Sequence, residues 1–224
     1  MAIFMGSDEL KEFYLWKKWW TPWVNTIAYY KFNGNLNDSS WNNRNLSWWT
    51  FTYWELQTGA KYIQTSSGQY TNNYTSMPFN TASYTINVRA CADATTTSWI
   101  LVDFHTNKSN SPRFWTASTN KFTFTTNPTN ITTTINVWHN YVCVCKNETA
   151  YCYIDGVQQT TKGLNTHNAN LNYFRLNTVG YADASLSNYT RNGKMSELIL
   201  ESKDRTAQEV SDYYNQTKSD YWIS

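Results

Sequence analysis

The chain has 224 residues, 41% of them apolar and 17% aromatic, and its 18 Lys and Arg barely outnumber its 16 Asp and Glu. That length suits one large domain able to bury a core of its own, and no run of Lys or Arg exceeds the pair Lys17 and Lys18, so the concentrated basic footprint of a nucleic-acid binder is missing. No apolar run reaches the roughly 20 residues of a membrane-spanning helix, and the opening MAIFMGSDELKEF lacks the basic start, apolar stretch and cleavage site of a secretion signal.

Residues 1–24 differ in character from the rest. Ile3 to Leu10 resembles Phe13 to Trp20, and each reads as a short strand, a turn and a return, so a small β lead is expected. Within it Leu15, Trp19, Trp20, Pro22 and Trp23 make a candidate anchor, because large apolar patches mark interaction sites. The same tryptophans would equally cap one end of a core.

From residue 25 to 224 one domain is expected, built of many short strands. Candidates run over Thr26–Phe32, Lys61–Gln64, Ser83–Ala90, Ser98–Phe104, Lys121–Thr126, Asn136–Cys145, Ala150–Ile154, Tyr173–Leu176 and Lys194–Ser202. Aromatic and β-branched residues fit the pleated surface, and the abundant Asn supplies turns. Asp155-Gly156 has the composition of a two-residue hairpin turn. Near the end, Thr206-Ala207-Gln208-Glu209 is a capping box, followed by Val210, Tyr213 and Tyr214 at helical spacing, which predicts one short helix with an apolar face.

The four cysteines, Cys91, Cys143, Cys145 and Cys152, contain no CxxC pair and the three histidines are scattered, so no metal site is expected. Cys143 and Cys152 flank a hairpin turn and are placed to face each other, although buried small apolar packing accounts for all four. No cofactor is expected.

Four segments, in this order, resemble a known family. They are Ile27-Ala28-Tyr29-Tyr30-Lys31-Phe32-Asn33-Gly34-Asn35-Leu36-Asn37-Asp38, Asn136-Val137-Trp138-His139-Asn140-Tyr141-Val142, Ala150-Tyr151-Cys152-Tyr153-Ile154-Asp155-Gly156-Val157, and Asn192-Gly193-Lys194-Met195-Ser196-Glu197-Leu198-Ile199-Leu200. Together they are similar to laminin G-like domains of the concanavalin A-like lectin and glucanase superfamily. The resemblance implies an all-β, two-sheet antiparallel jelly-roll sandwich with a short C-terminal helix, and binding of glycans, of proteins or, in some relatives, of calcium. Asp38, Asn42 and Asn43 would be the oxygen ligands for calcium, but turn chemistry uses the same residues. Exposed tryptophans beside polar groups suit glycans, which singles out Trp48, Trp49 and Trp54.

The paired acids of the family's glucanases, an E-x-D-x-E cluster, are absent, so no catalytic residue is assigned. Glu197 and Glu201 read as solvated or strand-end charges, and His139, following an expected core Trp138, reads as structural. Trp41 stands where the family turns on glycine, and Gly6 aligns with Trp16 inside the lead. Such swaps are consistent with a reassigned stop codon, read as glycine in the source and as tryptophan here. The functional expectation is a non-catalytic phage or virus particle protein. Its lead would meet other virion proteins, and its jelly roll would face outward toward host-surface glycans, with homo-oligomers allowed. The alternative is a bacterial surface or secreted carbohydrate-binding module.

Overall fold

A computed structural model describes residues 24–47, 51–66, 71–73, 83–93, 100–105, 113–118, 121–124, 131–147, 149–164, 173–177 and 192–221. Of the lead expected over residues 1–24, residues 1–23, with Leu15, Trp16, Trp19, Trp20, Pro22 and Trp23, lie outside them, as do Trp48 and Trp49.

The described strands are β1 (Thr26–Tyr30), β2 (Thr52–Glu55), β3 (Lys61–Thr65), β4 (Thr71–Asn73), β5 (Ser83–Ala92), β6 (Ile100–His105) and β7 (Arg113–Ser118). They continue with β8 (Lys121–Phe124), β9 (Ile131–Thr132), β10 (Trp138–Lys146), β11 (Thr149–Ile154), β12 (Val157–Leu164), β13 (Tyr173–Leu176) and β14 (Gly193–Glu201). One sheet has the order β12-β11-β10-β5-β14-β3-β2, with β1 also paired to β14; the other has the order β4-β13-β6-β7-β8-β9. Every described pairing is antiparallel, and the two sheets form the jelly-roll sandwich that the sequence implied.

Alternation builds the core. In β5, Tyr84, Ile86, Val88, Ala90 and Ala92 join the main cluster, with Tyr141, Cys143 and Cys145 of β10 beside them. Phe104, Phe114, Phe122 and Phe174 come from the opposite sheet. Phe122 stacks on Tyr141 with ring centroids 4.2 Å apart, which ties one sheet to the other.

The outer face of the first sheet is not left to water. Helix α1 (Ala207–Thr217) lies across it, started by the expected capping box between Thr206 and Glu209. Val210 packs with Val142, Val144 and Tyr153 in a second, smaller core. Gly156, at φ +76°, lets the Asp155-Gly156 turn pass under this helix: a Cβ there would lie 3.1 Å from Tyr214 Cβ and 3.2 Å from Ser211 Cα. Both the backbone angle and the close approach require glycine.

Strand β14 carries the decisive irregularity. Met195 pairs with Ala90 and Glu197 with Arg89, so Ser196 is an extra residue. Simple alternation would send Glu197 into the core behind Met195. The bulge turns it to the outer face instead, together with Ile199 and Glu201, while Leu198 and Leu200 fill the core. Upstream of the bulge β14 pairs with β3, downstream with β1. Two strands therefore meet end to end along one edge of β14, and the gap between them lies at the bulge.

Three expectations are corrected here. Glu197 and Glu201 are 4% and 5% exposed, not solvated: Tyr213 of α1 closes over Glu197, and Arg205 pairs with Glu201, which does stand at the strand end. Trp138 is half-buried on the outer face and absent from the core cluster, since β10 directs Tyr141, Cys143 and Cys145 inward. Trp41 does not occupy the left-handed region, so the backbone there makes no demand for glycine.

Candidate functional site

Trp54 of β2 and Tyr62 of β3 are direct cross-strand partners. Their neighbours Tyr53 and Ile63 pack on the core, which sends Trp54 and Tyr62 to the outer face, where Trp54 remains 56% exposed. The Tyr62 ring meets Trp138 edge-on at 5.6 Å, and Trp138 lies 6.1 Å from Tyr221. β3 and β10 are separated by β14 and β5, so these rings lean across the sheet to touch. The result is an aromatic stripe running from the β2 edge to the C-terminal turn.

Tyr221 owes its place to a buried cation. Arg89 of β5 is fully buried, and its guanidinium carbon lies 4.0 Å from the Tyr221 ring centroid. One amino group donates to Thr217 Oγ1 at 2.5 Å and the other to the Thr217 carbonyl at 3.3 Å. The fork therefore fixes the end of α1 and the aromatic ring that follows it. Burial is the largest influence and works against the charge on Arg89, but the Glu197 carboxylate together with Tyr213 and Tyr221 outweighs it and holds the pKa above the ordinary value.

Beside the stripe, at the gap between β1 and β3, opens a cleft of about 430 Å³. Tyr29 comes from β1, Lys31 and Asn33 from the loop that follows it, Thr58 from the β2–β3 turn, Lys61 from the start of β3, and Asp220 and Tyr221 from the C-terminal turn. The Thr58 hydroxyl donates to the Asp220 carbonyl and clips two of these walls together. Lys31 Nζ sits 5.2 Å from the Tyr29 ring centroid. Beneath, Tyr29 and Tyr213 both donate to the Glu197 carboxylate. Burial, and next the Glu197 charge, push both phenols above their usual range; Tyr221 rises to about 12 for the same two reasons. The Tyr29 and Tyr213 hydroxyls thus serve as protonated donors to Glu197.

The remaining arrangements are structural in their contacts. Glu201 is held by Arg205 through Nε at 2.5 Å and a second nitrogen at 3.0 Å. His139 Nδ1 is 2.7 Å from Asp155 Oδ2 and its Nε2 is 2.6 Å from Thr134 Oγ1. That order of hydroxyl, imidazole and carboxylate is familiar from hydrolases. Here the carboxylate also accepts the Asn140 backbone N–H at 2.9 Å, so the set locks a hairpin turn onto β10.

The Asp38 carboxylate accepts from Tyr29 N, Ser40 N, Ser40 Oγ and Arg44 N. Asn42 donates to the Thr26 and Ile27 carbonyls. These are the turn contacts anticipated as the alternative to calcium. Among the described residues no cluster of three or more His, Cys, Asp or Glu stands ready for a metal.

Of the tryptophans singled out from sequence, Trp54 is therefore placed on the stripe. Tyr62, Trp138, Tyr221 and Arg89 were missed as site residues. An arginine on the outward-directed positions of the expected strand Ser83–Ala90, shared with Asn87, was the signal available for Arg89.

A family model of the concanavalin A-like lectin/glucanases superfamily matches residues 57–211. No curated protein matches the sequence. Among solved structures, domain 4 of the extracellular arabinanase AbnA of Geobacillus stearothermophilus, in complex with arabinotriose, superposes with a TM-score of 0.65 at 18% identity, over 84% of this chain and 97% of that one. The botulinum neurotoxin serotype G binding domain gives 0.64 at 14% identity, over 87% of this chain and 52% of that one. The Trypanosoma rangeli sialidase in complex with sialic acid gives 0.68 at 8%, over 90% and 34%. The chain thus spans about half of the toxin domain and a third of the sialidase, and these likenesses concern the fold. With two antiparallel sheets, the capped helix and a family match over more than half its length, the chain belongs to the concanavalin A-like lectin/glucanases superfamily.

Proposed function

We propose that the chain is a non-catalytic carbohydrate-recognition domain, with the stripe of Trp54, Tyr62 and Trp138 and the neighbouring cleft as its binding surface. The observation that carries this reading is the juxtaposition of an aromatic stripe, Trp54 exposed and Tyr62 and Trp138 half-buried, with a polar cleft. Sugar rings present apolar C–H faces to aromatic side chains and hydroxyls to hydrogen-bonding groups, and the cleft supplies Lys31, Asn33, Thr58 and Asp220 within one volume. Neighbours solved with arabinotriose and sialic acid support the choice of ligand class. The stripe crosses several strands spaced about 4.8 Å apart, so it suits an oligosaccharide better than a single sugar.

A glycan array followed by calorimetry tests the reading. Trp54→Ala is expected to weaken binding of the selected oligosaccharide at least tenfold, and the glycan should be recovered uncut. Absence of any glycan ligand, or full affinity in Trp54→Ala together with Tyr62→Ala, overturns it. Release of new reducing ends would overturn the non-catalytic part.

How the domain is displayed is a second part of the proposal, resting on residues 1–24. Leu15, Trp19, Trp20, Pro22 and Trp23 supply an apolar lead that would join other proteins of a phage or virus particle, with the sandwich as a separate unit over 25–224. Val24, at the junction, is 81% exposed. Deleting residues 1–24 should release the folded domain from particles. Retention of the truncated protein on particles would sink the assignment and favour a secreted or cell-surface module.

A further inference from the structure

We infer that Cys143 and Cys152 are the partners of one specific disulfide, formed when the chain folds in contact with a small-molecule disulfide such as oxidised glutathione. Both are thiols in this structure. They are direct cross-strand partners in the β10–β11 ladder, and their thiols are in hydrogen-bonding contact. Residues directly opposite in an antiparallel pair have Cα atoms about 4.5–5.5 Å apart, inside the range of about 4.4–6.8 Å that a disulfide spans. The register by itself sets them at a separation that a disulfide can bridge.

The register also makes the pairing selective. Cys145 faces Ala150, one diagonal step from Cys152, and diagonal neighbours lie about 7–8 Å apart, at or beyond the disulfide limit. Cys91 pairs with Trp138 and Lys194 on the outward-directed set of β5. It faces away from the core that holds Cys143, Cys145 and Cys152.

The route follows from burial. Cys143 and Cys152 are 0% and 1% exposed, which shuts glutathione out of the finished sandwich. The hairpin, by contrast, is a local structure that forms early. There a Cys152 thiolate attacks the glutathione disulfide and expels one glutathione thiolate, which takes up a proton. The Cys143 thiolate then attacks the Cys152 sulfur and expels the second. Two protein thiols are oxidised to one disulfide and one glutathione disulfide is reduced to two thiols.

The test is refolding of the full chain with oxidised and reduced glutathione, alongside refolding under a strong reductant, followed by alkylation in denaturant and peptide mapping. The expected result is a Cys143–Cys152 linked peptide, an intact mass lower by two hydrogens, and a thermal midpoint raised on the order of 5–10 °C over the reduced protein. Cys91→Ala should leave the linkage and the rise intact, and Cys152→Ala should abolish both. Four alkylated cysteines after oxidative refolding, or a link through Cys145 or Cys91, overturns the inference. The mapping on the unaltered chain decides the matter even where a variant fails to fold.

Discussion

The hydroxyl of Tyr29 donates to Glu197 Oε2 at 3.1 Å, although the two are 168 residues apart in the chain. One residue comes from β1 and the other from β14, the first and last of the described strands, and Tyr213 of α1 donates to the second oxygen of the same carboxylate. A single buried acid thus holds together a strand, the helix and the floor of the cleft.

This arrangement fixes the alkaline behaviour. The phenols of Tyr29 and Tyr213 are pushed above their ordinary 10 by burial and by Glu197. A group whose pKa is higher in the folded state contributes stability fully below its unfolded value, and that stability is lost as pH rises through the folded one. Tyrosinate absorbance from these residues should therefore appear only with unfolding above about pH 10. Ordinary titration of both in protein that is still folded, seen by comparing absorbance with circular dichroism, would contradict the network.

Beneath α1 the Glu197 charge favours the cationic form of Arg89. Arg89→Met or Glu197→Gln alone leaves one buried charge without its counter-charge, and each is expected to cost about 3–5 kcal/mol. The double variant should lose less than the sum, with a coupling of about 1–3 kcal/mol in urea unfolding. Simple additivity would show that the two groups do not share a site energetically.

Gly156 sits at φ +76° under the helix, with Ser211 and Tyr214 where a Cβ would go. Gly156→Ala is expected to destabilise by roughly 1–3 kcal/mol, from backbone strain and from displacement of α1. A neutral result in denaturant unfolding would mean that the turn and the helix are not in contact.

The capping box contributes at neutral pH and fades in acid. Burial alone would raise the Glu209 pKa, but Lys203 and the Thr206 backbone and hydroxyl lower it below the ordinary 4.5. Its contribution is present above that value and is lost as pH falls through the lower, folded one. Thr206→Ala should cost about 1 kcal/mol at pH 7. The deficit of Glu209→Gln should shrink toward zero in acid; a deficit independent of pH would exclude the charge as its source.

Much of this was legible in the sequence because core strands write their alternation plainly. Ser83–Ala92 and Gly193–Glu201 differ from the expected strands by only one or two residues at each end, and the helix starts at its capping box. Thr52–Glu55, Thr71–Asn73, Arg113–Ser118, Ile131–Thr132 and Val157–Leu164 were missed. Several of these are short or at sheet edges, where few positions face the core and no period emerges.

The site was legible only at Trp54. The meeting of Tyr62 with Trp138 depends on which strands lie between them, and that order is a property of the whole fold. Glu197 was misread because the helix residue that closes over it, Tyr213, is brought there only by the whole fold, and nothing in the pattern of the strand itself announces that cover.

The change of neighbours along β14 has an evolutionary consequence. Because β1 and β3 share one edge of β14 without pairing to each other, the notch between them is bounded by loops and not by ladder hydrogen bonds. The Asn33–Asn37 and Leu56–Ala60 connections can lengthen, shorten or exchange residues without breaking any of the three strands. On the binding role proposed above, ligand preference would drift at this notch while the sandwich stays the same.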